Sequence, residues 1–231
     1  MAAGSAFPTT RWTLVLACRG EPARRRQALG PLLQSYWQPL YVSLRKRGHA
    51  RAEAEDLVQS FAMHLLETDA LARLDPGRGR LRAYLKTALQ HHASHAREKE
   101  QAAKRGGGAV VSLDLDAAES LLAQSPETPD AAFDHAWARA LFDRALGKLL
   151  AEHVGGGKSG PVAVLQAYFQ GGADVPYAEV AKTHGLSVPQ LKSLLHRARA
   201  RFRALLAEEV ADTVADPLEV ERELAELQRC L

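Results

Sequence analysis

Apolar residues recur three and four apart along most of the chain and almost never alternate with period two, a pattern that predicts helices throughout and an all-α protein. After an N-terminal extension at 1–21, a first helical block is predicted over 22–105. Within it, Leu57, Val58, Phe61, Ala62, Leu65 and Leu66 make one buried stripe and leave Glu53, Asp56, Gln59, Ser60 and Glu67 outside it. The turn DPGRGR at 75–80 must interrupt the helix, because proline followed by two glycines cannot continue it. A helix over about 81–104 follows, with Leu81, Tyr84, Leu85, Ala88, Leu89, His92 and Ala96 inward and Arg82, Lys86, Gln90, Ser94 and Arg97 outward. Between 106 and 129 the periodicity stops, from GGG to SPETP, which predicts a flexible linker with a short ordered piece at 110–113. A second helical block spans 130–207, opened by Thr128 and Pro129, with Leu141, Phe142, Ala145, Leu146, Leu149 and Leu150 on its first apolar face. The segment 208–231 places Val220, Leu224, Leu227 and Leu231 at helical spacing and predicts an acidic amphipathic helix.

The stretch VPYAEVAKTHGLSVPQLKSLLHRARARFRALL, 175–206, carries the most chemistry. A first helix can open with Pro176 in its first turn and stop at Gly185, which tolerates a left-handed C-cap. Ser187 and Gln190 form the reciprocal capping box S-x-x-Q that starts a second, longer helix. Leu191, Leu195, Ala198, Phe202 and Leu205 are its buried stripe; Lys192, His196, Arg199 and Arg203 line one flank, and Arg197 and Arg201 the other. No carboxylate appears between Glu179 and Glu208. A helix so arranged is suited to lie against phosphates and base edges. The outward face of the helix at 81–104 combines cations with amide and hydroxyl groups and is a second candidate DNA-binding surface.

The net charge of +3 conceals this segregation, because 114–134 and 208–226 are mostly acidic. The two cysteines, Cys18 and Cys230, lie near opposite ends, outside any CxxC spacing, and read as free thiols of a reducing cytoplasm. No apolar run approaches the roughly 18 residues of a membrane span, so no membrane insertion is expected. The loop HVGGGKSG at 153–160 lacks the first glycine of a P-loop, since Glu152 stands there, and follows a helical rather than a strand pattern. His91 and His95 are four apart on a helix, but no cysteine or carboxylate is spaced to complete a metal site. No catalytic triad or carboxylate pair can be argued, and neither metal nor cofactor nor enzymatic activity is expected.

The two blocks together resemble the extracytoplasmic-function (ECF) group of bacterial sigma-70 factors. Asp56-Leu57-Val58-Gln59-Ser60-Phe61 is similar to the D-L-x-Q-x-F core with which region 2 of that family docks on the polymerase clamp. The segment RGRLRAYLKTALQHHASHAREK at 78–99 resembles the helix that captures the melted minus-ten strand, with Tyr84 where a tryptophan is common. Tyr177-Ala178-Glu179-Val180-Ala181, Gly185, Ser187 and Arg197-Ala198-Arg199 resemble region 4. The resemblance implies a region 2-like bundle and a region 4-like helix-turn-helix joined by the linker, with the acidic C-terminal helix beyond. Glu53, Asp56, Leu57, Gln59 and Phe61 would then meet core RNA polymerase. Arg82, Tyr84, Lys86, Gln90, Ser94 and Arg97 would hold the minus-ten strand. Lys192, Ser193, His196, Arg197, Arg199 and Arg203 would meet duplex DNA at the minus-thirty-five element. Leu194 departs from the polar residue common there and borders the buried stripe. An anti-sigma protein is a further candidate partner.

The alternative is a helix-turn-helix regulator that occupies duplex DNA without engaging polymerase; such a protein has no need of the DLVQSF face. Charge complementarity also raises the expectation that the acidic tail docks on a protein partner, or lies against the cationic helix at 192–203 and restrains DNA binding.

Overall fold

The computed structural model describes residues 22–68, 70–71, 74, 80–100, 113–154, 159–171, 176–211, 214 and 217–230. The N-terminal extension, the tip of the DPGRGR turn, residues 110–112 of the ordered piece expected at 110–113 and the three glycines at 155–157 of the HVGGGKSG loop lie outside the described residues, as does Cys18. Among the described residues there are nine α-helices and no strand. The all-helical reading holds.

The chain divides into two compact units, Met1–Ala140 with Val210–Leu231, and Leu141–Glu209. In the first, α1 (Pro22–Lys46) is central. Residues 39–44 are all buried, as a helix must be when apolar groups line every side. Around it pack α2 (Arg51–Glu67), α3 (Leu81–Glu100) and α4 (Leu115–Gln124). Gly48, at φ +91°, makes the turn from α1 to α2 in a conformation that disfavours side chains. The α2 stripe is buried as expected at Leu57, Val58, Phe61, Ala62 and Leu65, with Ala54 added, while Leu66 is half-buried.

Three expectations about organisation need correction. The segment assigned to a flexible linker contains α4, capped by Asp114, whose carboxylate accepts from the Ala117 N–H at 3.1 Å. Ala118 is fully buried, and Asp116 and Glu119 pair with Arg51 and Arg45 at 2.9 and 3.0 Å. The helix is short and flanked by glycines and prolines, so its period was hidden. Second, residues 129–140 of α5 (Pro129–Val154) belong to the first unit, so no boundary falls at 130. Third, the acidic helix α9 (Val220–Cys230) is part of that unit rather than a separate tail. Its apolar stripe seats it, with Leu227 buried and Val220 and Leu224 half-buried.

The second unit holds residues 141–154 of α5, α6 (Ser159–Gly171), α7 (Tyr177–Thr183) and most of α8 (Val188–Ala211). Phe142, Phe169 and Phe202 meet with ring centroids 4.9–6.4 Å apart. Leu191, Leu195, Ala198 and Leu205 are buried along α8, as the sequence predicts. Gly185 adopts φ +65° at the turn before α8. The capping box is formed: Ser187 N–H donates to Gln190 Oε1 at 2.9 Å and Gln190 N–H to Ser187 Oγ at 3.4 Å. Pro176 is the N-cap of α7 rather than a residue of its first turn. Buried Glu209 accepts from Arg144 at 2.7 Å and pairs with Lys148 at 2.8 Å. Burial works to raise its pKa, but the hydrogen bonds from Lys148 and Arg144 outweigh burial and hold it below the ordinary carboxylate value.

Candidate nucleic-acid interface

The residues assigned by sequence to one polymerase-binding face of α2 divide into two groups. Leu57 and Phe61 are 7% and 1% exposed and serve the interior, so they cannot present a surface. Asp56 is exposed and Gln59 half-buried on the opposite side. Glu53 acts locally, on the helix start. Its Oε1 lies 2.6 Å from Nδ1 of buried His49, and its Oε2 accepts from the Ala50 N–H at 3.3 Å. Alanine has no side-chain oxygen with which to cap the helix, so Glu53 anchors the start of α2. Ser60, exposed, lies 2.9 Å from His92 Nε2, and the His92 ring packs on Phe61 with centroids 5.6 Å apart. The hydroxyl thus ties α2 to α3.

On α3 the expected outward row is only partly outward. Gln90 and Ser94 are exposed, and the Ser94 hydroxyl donates to the Gln90 carbonyl at 3.0 Å. Tyr84 is half-buried, and burial raises its pKa. The Arg97 side chain lies outside the described residues. Arg82 is buried, contrary to its assignment to a solvent face. Its guanidinium makes a fork to Glu223 at 3.0 and 2.9 Å, donates to Asp134 at 2.8 Å and to Glu226, and stacks 4.6 Å from the centre of the Trp137 ring. Lys86 is half-buried and bonds Asp134 at 2.9 Å. Arg80 pairs with Glu223 at 2.9 Å and also with Glu226. Burial opposes the charge of Arg82, but the bonds to Glu223 and Asp134 prevail and raise its pKa, so it stays ionised. Arg82 stands one position from the inward Leu81, at the edge of the stripe, and α5 and α9 close over that flank. A single-helix pattern cannot register hydrogen-bond partners from 52–144 positions away.

Asp134, Trp137, Glu223 and Glu226 are therefore partners of the candidate-site cations that the sequence reading missed. The acidity of the tail was visible, but charge complementarity could not choose between two basic helices. Its carboxylates Glu223 and Glu226 pair with Arg80 and Arg82. Elsewhere in the unit, the Tyr41 hydroxyl donates to Glu119; burial first, and then Glu119, pushes its pKa up to about 12.

In the second unit, Lys192, Ser193, His196, Arg197, Arg199 and Arg203 are all exposed on α8. Leu194 is half-buried. Arg199 is held by its neighbours, donating to the Tyr168 hydroxyl at 3.1 Å and to that of Tyr177 at 2.8 Å. The hydroxyl bonds raise its pKa, Tyr168 before Tyr177. They fix α8 against α6 and α7. Arg201 grips Glu152 through several bonds, 2.6 Å the shortest, and joins α8 to α5.

His91 is exposed, and among the described residues no group of three or more histidine, cysteine or carboxylate side chains is placed to hold a metal ion. No described helix is long and apolar enough to cross a membrane.

No curated protein and no solved structure matches the chain. Residues 32–103, which take in the later part of α1 and all of α2 and α3, match the family model of sigma-70 region 2, and this match supports a sigma-70 family member.

Proposed function

We propose that the chain is an ECF-type sigma factor of the bacterial cytoplasm that binds core RNA polymerase and directs promoter recognition, without catalytic chemistry of its own. The observation that carries this reading is the match to region 2 over the helices that bear the DLVQSF segment and the candidate minus-ten face. On this reading α2 meets polymerase through Asp56 and Gln59, with Glu53 setting the helix start and Leu57 and Phe61 supporting it from beneath. The α3 helix takes up unstacked bases of the minus-ten strand, Tyr84 offering a ring and Gln90 and Ser94 polar groups. The helix-turn-helix of α7 and α8 fixes register at the minus-thirty-five element through Lys192, Ser193, His196, Arg197 and Arg203, with Arg199 positioned by its tyrosines. An anti-sigma protein is a further proposed partner.

The test is capture of purified bacterial core polymerase by the intact chain. Asp56→Ala changes an exposed residue and is expected to leave stability within about 0.5 kcal/mol. It and Gln59→Ala are each expected to weaken capture by about tenfold, the effect of about 1.4 kcal/mol at a contact. Capture that both variants leave unchanged, or no capture by the native chain, contradicts the proposal.

A further inference from the structure

The region 2-like unit carries a feature that promoter recognition does not use: an acidic helix laid across the basic end of the candidate strand-binding helix. Three cations, Arg80, Arg82 and Lys86, meet three carboxylates, Asp134, Glu223 and Glu226. Two of those carboxylates come from α9, three residues apart on one face, and Glu223 is 1% exposed. Glu223 engages Arg82 as a planar fork, the geometry with which arginine also holds phosphate. With α9 in place the basic end of α3 has no net charge to offer a nucleic acid. Without it, three cations would face Asp134 alone. The apolar grip of α9 is short, since Leu227 is its one fully buried stripe residue among those described, while Val220 and Leu224 stay half-buried. A helix held mainly by ion pairs at its inner face is well suited to be displaced by a polyanion.

Resting on the reading of α3 as a strand-binding helix, we propose that Arg80, Arg82 and Lys86 form a phosphate-binding cluster and that α9 covers it by placing Glu223 and Glu226 where strand phosphates bind. The helix is thus an intramolecular competitor of single-stranded DNA. Opening is coupled to DNA uptake, because one set of cations cannot satisfy both.

The experiment measures binding of the full chain to a labelled single-stranded oligonucleotide of random sequence over a range of salt. Glu223→Gln with Glu226→Gln is expected to bind about tenfold more tightly, with a salt slope steeper by roughly 0.7 for each cation released. Adding Arg80→Ala should remove most of that gain. Glu219→Gln with Glu221→Gln alters charge equally in the same segment away from the cluster and should give little gain; an equal gain overturns the proposal. Because the first pair of substitutions touches a buried residue, native chain is also followed by hydrogen exchange with and without the oligonucleotide. Backbone amides of 220–230 should lose protection as DNA binds. Binding that leaves them protected, or absence of binding by both native chain and a folded variant lacking α9, overturns the proposal. Polymerase capture through α2 is read separately, so loss of the covering role and loss of the sigma-factor reading give different results.

Discussion

Arg82→Ala is expected to destabilise the first unit by about 3–5 kcal/mol, the cost of breaking a buried ion pair from one side. Glu223 is 1% exposed and would be left with only Arg80 to pair with. The Trp137 ring would lose the guanidinium stacked above it. Against a typical domain stability of about 5–15 kcal/mol this is a large share, and the loss should appear as a lower denaturant midpoint. Arg82→Lys keeps the charge but not the fork and should fall between the two. The network also sets a pH dependence. Hydrogen bonding to Arg80, and then the charges of both arginines, hold the Glu226 carboxyl below its ordinary value of 4.5. A depressed folded value means that the stabilisation is complete above the unfolded value and is lost as pH falls through the folded one. The contribution of Glu226 to α9 docking should therefore diminish on acidification below about 4.5, and Arg82→Ala should show a flatter profile across the same range. Equal midpoints for native and Arg82→Ala chains would show that the network is solvated rather than buried.

Phe61→Ala is expected to cost about 3–5 kcal/mol as well, through lost burial and the cavity left behind. Phe61 is 1% exposed and packs on His92, whose ring in turn reaches Ser60 and His64. Its removal loosens the contact of α2 with α3, so both candidate surfaces should suffer together. The comparison with Asp56→Ala separates packing from contact. Phe61→Ala should lower the denaturant midpoint first and polymerase capture only as folded protein is lost, whereas Asp56→Ala should lower capture at an unchanged midpoint. If Phe61→Ala abolishes capture while the midpoint stays native, the side chain belongs to the interface and is not buried in the working protein.

What the sequence made legible follows from periodicity. The stripe of α2, the capping box of α8, the φ of Gly185 and the inward row of α3 are local properties, set by residues within a few positions of one another. The linker assignment at 106–129 failed because α4 is 10 residues long and its support comes from Arg45 and Arg51. The site was less legible than the fold. Leu57 and Phe61 belong to the same short segment as Asp56 and Gln59, and only helical geometry sorts the interior pair from the surface pair. Arg82 looks exposed when α3 is drawn alone, and its partners Asp134, Glu223 and Glu226 are far away in the chain. Burial of a cation is decided by tertiary packing, and no local pattern states it.

The central claim is that this chain gives polymerase a promoter specificity. Its most direct test is transcription in vitro by purified core polymerase, with and without the native chain, on a library of bacterial upstream sequences. The expected result is a set of start sites that appear only when the chain is present, preceded by shared minus-ten and minus-thirty-five elements and lost with Asp56→Ala. Transcripts unchanged by the chain, from a polymerase that a known sigma factor can activate in the same reaction, would contradict it.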